Sequence, residues 1–94
     1  MQFFEQGPLL RPVSFVIEAS ADDGLLPRLL APFSRRGLCP DRVQMRRHGV
    51  TMRVDITLDA IPAGLISSLE GNLRQIIGIV RITVVLRAAV ERAA

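Results

Sequence analysis

The chain has 94 residues, twelve basic side chains against nine acidic ones, and a formal net charge of +3. Its composition is 49% hydrophobic with four Phe and no Trp or Tyr, so the expectation is one domain with a single aliphatic core, the length being too short for two. One cysteine excludes an intrachain disulfide or a Cys-x-x-Cys motif, and the longest uncharged run, residues 60–69, falls well short of the roughly 20 residues a membrane span needs.

Residues 1–12 carry Gly7, Pro8 and Pro12 with no periodicity and read as a loose N-terminal arm in which Phe3, Phe4, Leu9 and Leu10 are available to dock on a neighbour. From Val13 the pattern changes. Val13, Phe15, Ile17 and Ala19 alternate with Ser14, Val16 and Glu18, the period of two expected of a strand buried on one face. Asp22 and Asp23 then stand where a side-chain oxygen caps a helix start, ahead of Leu25, Leu26, Leu29, Leu30 and Phe33 at helical spacing. Gly37 supplies the stop. Pro27 falls in the first turn, where its missing N–H costs little, whereas Pro32 removes the bond to the Arg28 carbonyl and predicts a kinked or shortened helix.

Residues 41–47 and 50–58 read as two strands around a tight turn at His48-Gly49. The second alternates cleanly, with Val50, Met52, Val54, Ile56 and Leu58 on one side and Thr51, Arg53, Asp55 and Thr57 on the other. Pro62 leads into a second helix through Leu65, Ile66, Leu69, Leu73 and Ile76, with Glu70 and Arg74 outside and Gly78 at its close. Residues 79–86 form the last strand, apolar on both faces, and residues 87–94 a short tail, helical if ordered. The order βαββαβ with right-handed crossovers predicts an α+β, ferredoxin-like sandwich over residues 13–86: a four-stranded antiparallel sheet, order 4-1-3-2, with both helices on one face.

Signatures of catalysis are missing. His48 is the lone histidine and sits in a hairpin turn, Ser67-Ser68 has no base nearby in sequence, and there is no Gly-rich phosphate loop. No metal and no cofactor are therefore expected. Cys39, followed by Pro40, reads as a small buried thiol at a strand entrance. All twelve cations are arginines spread from Arg11 to Arg92, and Phe15 alone is no stacking platform, so no nucleic-acid partner is expected. Without a basic N-terminal region or a membrane segment the chain reads as cytoplasmic. The excess of aliphatic residues over what so small a core hides, and the open edges of the sheet, predict a homodimer, with Val43 and Met45 on the likelier seam. A strand–glycine–helix junction, Ala21 to Leu26, is the one feature suited to a small carboxylate. Arg35 and Arg36 occupy a helix end, where they offset its dipole or dock a partner.

Gly24, Leu26 and Arg28, then Arg36-Gly37-Leu38, then Leu73, Ile76 and Ile79 stand in an order and spacing that resembles the ACT domain of acetolactate synthase (acetohydroxyacid synthase) small subunits. That family typically shows a Gly-x-Leu-x-Arg helix, an Arg-Gly-aromatic exit and a Leu-x-Lys-Leu-x-x-Val passage. The resemblance implies a non-catalytic regulatory subunit in branched-chain amino acid biosynthesis, a dimer that activates a separate thiamine-diphosphate-dependent large subunit. It also implies that a small amino-acid effector sits between protomers around Ala21, Asp22, Asp23, Gly24, Leu25, Leu26 and Cys39. Within it, capping of the helix end stays the default reading of Arg35 and Arg36, and docking to the catalytic subunit the sharper one. Ala21 and Cys39 fall where the family has Asn, so valine is expected to bind weakly if at all. A stand-alone ACT amino-acid sensor is the alternative, and a basic nucleic-acid-binding module of the same fold is a third reading.

Overall fold

The alternating run from Val13 becomes the middle of a sheet. In the computed structural model, which describes residues 9–87, β1 (Leu10–Ser20) is followed by α1 (Leu25–Arg35), β2 (Arg42–His48) and β3 (Thr51–Pro62). A 3-10 turn at Ala63–Leu65 then leads into α2 (Ile66–Arg74) and β4 (Ile79–Leu86). All pairings are antiparallel and the order is β2-β3-β1-β4, which makes β2 and β4 the edges. This is the expected ferredoxin-like sandwich. Residues 1–8 of the expected arm, with the docking of Phe3 and Phe4, and residues 88–94 of the expected tail lie outside the described residues.

One face of the sheet is closed by the helices. Val13, Phe15, Ile17 and Ala19 of β1 are 0% exposed, and Val54, Ile56 and Leu58 of β3 meet them across the pair. Leu25, Leu29 and Phe33 descend from α1 and Leu69 and Leu73 from α2, the i, i+4 rows that an amphipathic helix turns inward. Phe33 stands edge-on to Phe15 with ring centroids 5.6 Å apart and planes at 72°, the geometry the ring quadrupoles favour.

The strands run longer than their alternation predicts. β1 begins at Leu10 rather than Val13, and β3 continues to Pro62 rather than ending at Leu58. The reason is a bulge: Val13 pairs with Leu58 but Arg11 pairs with Ile61, so Asp59 and Ala60 together oppose Pro12. A proline without an N–H, which would break the ladder of a central strand, is accommodated where the ladder is already interrupted. The extra residue also inverts the alternation, returning Ile61 to the core at 0% exposure. A second irregularity sets Glu18 opposite Arg81 but Ala19 opposite Ile79, leaving Val80 out of register.

Two turns differ from expectation. The β2–β3 turn is Gly49-Val50 rather than His48-Gly49, with His48 paired to Thr51. Gly49 has φ +61° and no non-glycine residue has positive φ, the arrangement of a two-residue hairpin with glycine first. α1 runs through Pro32 for its full eleven residues instead of breaking there. Pro32 comes so late that only the last turn is affected, and the exit is independently closed: Leu38 N–H donates to Phe33 O and Gly37 N–H to Ser34 O, with Gly37 at φ +70°. These are the two bonds of a Schellman cap.

Phe33→Ala is expected to destabilise the domain by about 3–5 kcal/mol through the cavity it leaves against Phe15, while the exposed neighbour change Ser34→Ala stays within about 0.5 kcal/mol. Urea unfolding of both variants, compared at the midpoint with the slope unchanged, checks it.

Candidate functional site

β1 hands the chain to α1 at a corner secured from both sides. Ser20 N–H donates to Gly78 O at 2.9 Å, and Ala21 N–H to Val50 O at 2.8 Å. The loop after β1 is thereby tied to the α2–β4 connection and to the β2–β3 hairpin. Into it projects Asp22, whose carboxylate accepts from Arg28 Nη2 at 2.7 Å and from Gly24 N–H at 3.4 Å, while its backbone oxygen accepts from Leu25 N–H at 3.0 Å. The Arg28 guanidinium, and then the Gly24 N–H, hold the Asp22 carboxyl below its ordinary pKa.

The expected aspartate cap takes a different form. Gly24 is the N-cap residue and no side chain bonds the first turn. Asp22 instead stabilises the loop from two residues ahead of it, and Asp23 is exposed. Gly24 has an ordinary φ of −90°, so conformational freedom does not explain it. A Cβ there would lie 2.9 Å from Arg28 Nη1, the far end of an exposed and flexible side chain that can shift aside. Arg28 folds back across the loop to Asp22, so the chain's own ion pair occupies the approach expected for a ligand carboxylate.

Of the other residues expected around an effector, Leu25 is in the core at 1% exposure and Leu26 is half-buried. Cys39 is exposed rather than buried; Leu38 packs against the core instead, and the chain passes Cys39 around the outside of the helix end before β2 begins. Within one chain Cys39 is not brought to Ala21–Leu26. It lies at the opposite end of α1, about 16 Å away by the rise of an eleven-residue helix.

The two arginines that sequence treats alike diverge. Arg36 turns inward across the two helices, donating through Nη2 to Ser68 Oγ and Asn72 Oδ1, both at 2.8 Å, and through Nη1 to Pro32 O at 3.3 Å. It joins the end of α1 to α2 rather than presenting a free cation. Arg35 is exposed and edges a groove of about 560 Å³ between the helices, with Arg28 farther along the same wall and Asn72, Gln75, Ile76 and Ile77 opposite. Sequence reasoning missed this groove. Its signals were the seven-residue spacing of Arg28 and Arg35, which puts both on one helix face, and Ile77, an 87% exposed isoleucine just beyond an otherwise regular apolar ladder.

His48 ends β2, exposed. Among the described residues no three His, Cys, Asp or Glu gather as for a metal ion, and no helix is long and apolar enough to cross a membrane.

No protein-family model matches the chain, and no curated protein matches it in sequence. Among solved structures it is similar to the ACT domain from GTP pyrophosphokinase of Chlorobium tepidum, determined by solution NMR. The TM-score is 0.66 at 9% identity, covering 79% of this chain and 84% of that one. At that identity the likeness concerns the fold alone, the ferredoxin-like βαββαβ sandwich that this chain shares with that ACT domain.

Two outcomes are expected. Arg36→Ala loses about 1–2 kcal/mol of stability because it leaves Asn72 and Pro32 acceptors unmatched, whereas Arg35→Ala stays within about 0.5 kcal/mol; thermal melts of the two variants decide this. The Asp22 carboxyl is depressed in the folded state, so its contribution is present above the unfolded value and lost as pH falls through the folded one. Asp22→Asn is therefore expected to show a shallower loss of stability than the parent below about pH 4 in urea titrations.

Proposed function

We propose that this chain is a non-catalytic ACT-type regulatory module and, specifically, the small subunit that activates a thiamine-diphosphate-dependent acetolactate synthase. The observation that carries the reading is the strand–loop–helix corner of an ACT-like fold in which Gly24, Leu26 and Arg28 keep the family's Gly-x-Leu-x-Arg order. The Arg36-Gly37-Leu38 exit and the Leu73, Ile76, Ile79 passage support it in the same order along the chain.

The module works as a homodimer through the edge strand β2, along which Met45 is 41% exposed. Antiparallel pairing of two β2 strands turns the Cys39 end of one chain toward the first-loop end of its partner, an arrangement in which Cys39 and Ala21–Leu26 of different chains contribute to one effector site. An amino acid entering that site needs partners for its ammonium and its carboxylate to offset their desolvation. The Asp22–Arg28 pair already satisfies itself, and Ala21 offers no amide, so this module activates its partner while responding weakly to valine. Arg35, with its guanidinium toward solvent, is the cation of the pair left for docking.

Co-expression with a candidate acetolactate synthase catalytic subunit tests the reading. The expected result is a stable co-purifying complex, more acetolactate formed with this chain than without, and a free form scattering light at twice the 10.3 kDa chain mass. Valine is expected to titrate with a dissociation constant no tighter than about 1 mM, given contacts worth about 1–3 kcal/mol each that the pocket lacks. No complex with any such subunit, together with micromolar binding of an amino acid, would instead identify a stand-alone sensor.

A further inference from the structure

The sheet face turned away from the helices carries charge that the regulatory reading leaves unused. Strand pairing sets one row of side chains straight across it: Arg46 of β2 faces Arg53 of β3, Arg53 faces Glu18 of β1, and Glu18 faces Arg81 of β4. Such neighbours have their Cβ atoms about 5 Å apart. Glu18 stands opposite two arginines, one carboxylate facing a cation on either side, without a salt bridge to either among the described residues. Within one chain Arg46 has no such partner: β2 is an edge, its one cross-strand neighbour is another arginine, and it forms no ion pair among the described residues.

Like charges directly opposite each other destabilise a sheet, and a local conflict without a structural return marks a position held for another purpose. Here the conflict is shaped into a hollow. Asp55 accepts from Arg53 Nε at 3.3 Å, which steadies that guanidinium while leaving both Nη nitrogens for another acceptor. Gln44 and His48 extend from β2 on the same face as Arg46, and together these side chains bound a space of about 520 Å³, within the range of small-molecule sites.

We propose that this hollow binds a small polyanion of the phosphate type, its oxygens bridged between the guanidinium groups of Arg46 and Arg53. Two planar forks from neighbouring strands match a tetrahedral oxyanion with oxygens on both sides, whereas a monocarboxylate occupies only one fork. Asp55 repels any anion in proportion to its charge, but it is engaged by Arg53 Nε and the two guanidinium groups outweigh it, so the attraction still grows with ligand charge. The hollow has no Phe, Tyr or Trp and only the His48 ring as an aromatic surface, so recognition falls mainly on the phosphoryl groups, and inorganic pyrophosphate and a nucleoside polyphosphate share the same grip. Pairing of β2 with a second copy uses backbone groups in the plane of the sheet and leaves this face open.

Calorimetric titration of the full chain with sodium pyrophosphate at low salt tests the site, with ATP and a hexaglutamate peptide as parallel arms. One saturable event is expected for pyrophosphate, with ATP within about tenfold of it, and Arg46→Ala and Arg53→Ala each weakening both by about tenfold or more. Arg81→Ala removes the same charge from the far end of the row and is expected to change affinity by no more than about twofold. All three positions are exposed, and circular dichroism confirms that the variants fold. Four results overturn the proposal: no saturable binding of pyrophosphate up to about 10 mM, an equal loss in Arg81→Ala, ATP binding that pyrophosphate cannot displace, or hexaglutamate binding where pyrophosphate does not. The last would make the face a docking surface for an acidic protein segment.

Discussion

Everything in this domain depends on β1 being paired along both edges while one of its faces is sealed. A strand bonded to β3 on one side and β4 on the other has no freedom to slip, because a shift of one residue would turn Val13, Phe15, Ile17 and Ala19 out of the core and Ser14, Val16 and Glu18 into it. The two helices are held against that row by Leu25, Leu29, Phe33, Leu69 and Leu73. The corner after Ser20 inherits the rigidity, since its first N–H groups are bonded to the elements on either side. A loop fixed in this way presents Asp22, Gly24 and Arg28 in one arrangement, and local chemistry there is set by the central strand.

The two bulges give the sheet its division of labour. At one end, opposing Pro12 with both Asp59 and Ala60 lets a proline stand in a central strand and restores Ile61 to the core. At the other, the extra residue in β4 sends Val80 to 65% exposure while keeping Arg81 opposite Glu18. Register, rather than sequence proximity, therefore composes the charged row on the open face. It also isolates Arg46 at its end, because an edge strand has a neighbour on one side only.

The helix layer has a similar logic of substitution. Pro32 weakens the last turn of α1, and Arg36, one turn later, offers a guanidinium to the Pro32 carbonyl while reaching α2. A side chain thus supplies donors where the backbone departs from regular helix geometry, and it ties the helices together at the end where Gly37 turns the chain away. Arg35, one residue earlier and about 100° around the helix, faces the groove instead.

Much of the architecture was legible in the chain. Period-two and helical patterns identified four strands and two helices in order, Gly37 marked the end of α1, and the handedness of crossovers reduced the possible topologies to the observed order β2-β3-β1-β4. Such patterns are readable because burial acts on one face at a time and leaves a periodic trace. The ends of β1 and β3 were not readable, because a bulge stabilises pairing precisely where alternation fails. Nor was the fate of individual polar side chains: that Arg28 folds back to Asp22, that Arg36 turns inward and Arg35 outward, that Cys39 lies outside and a helix length from Ala21, and that Arg46 confronts Arg53. Each depends on which atoms other elements bring within a few ångströms, a distance that periodicity along the chain does not encode and that only the packing of β1, α1 and α2 together decides.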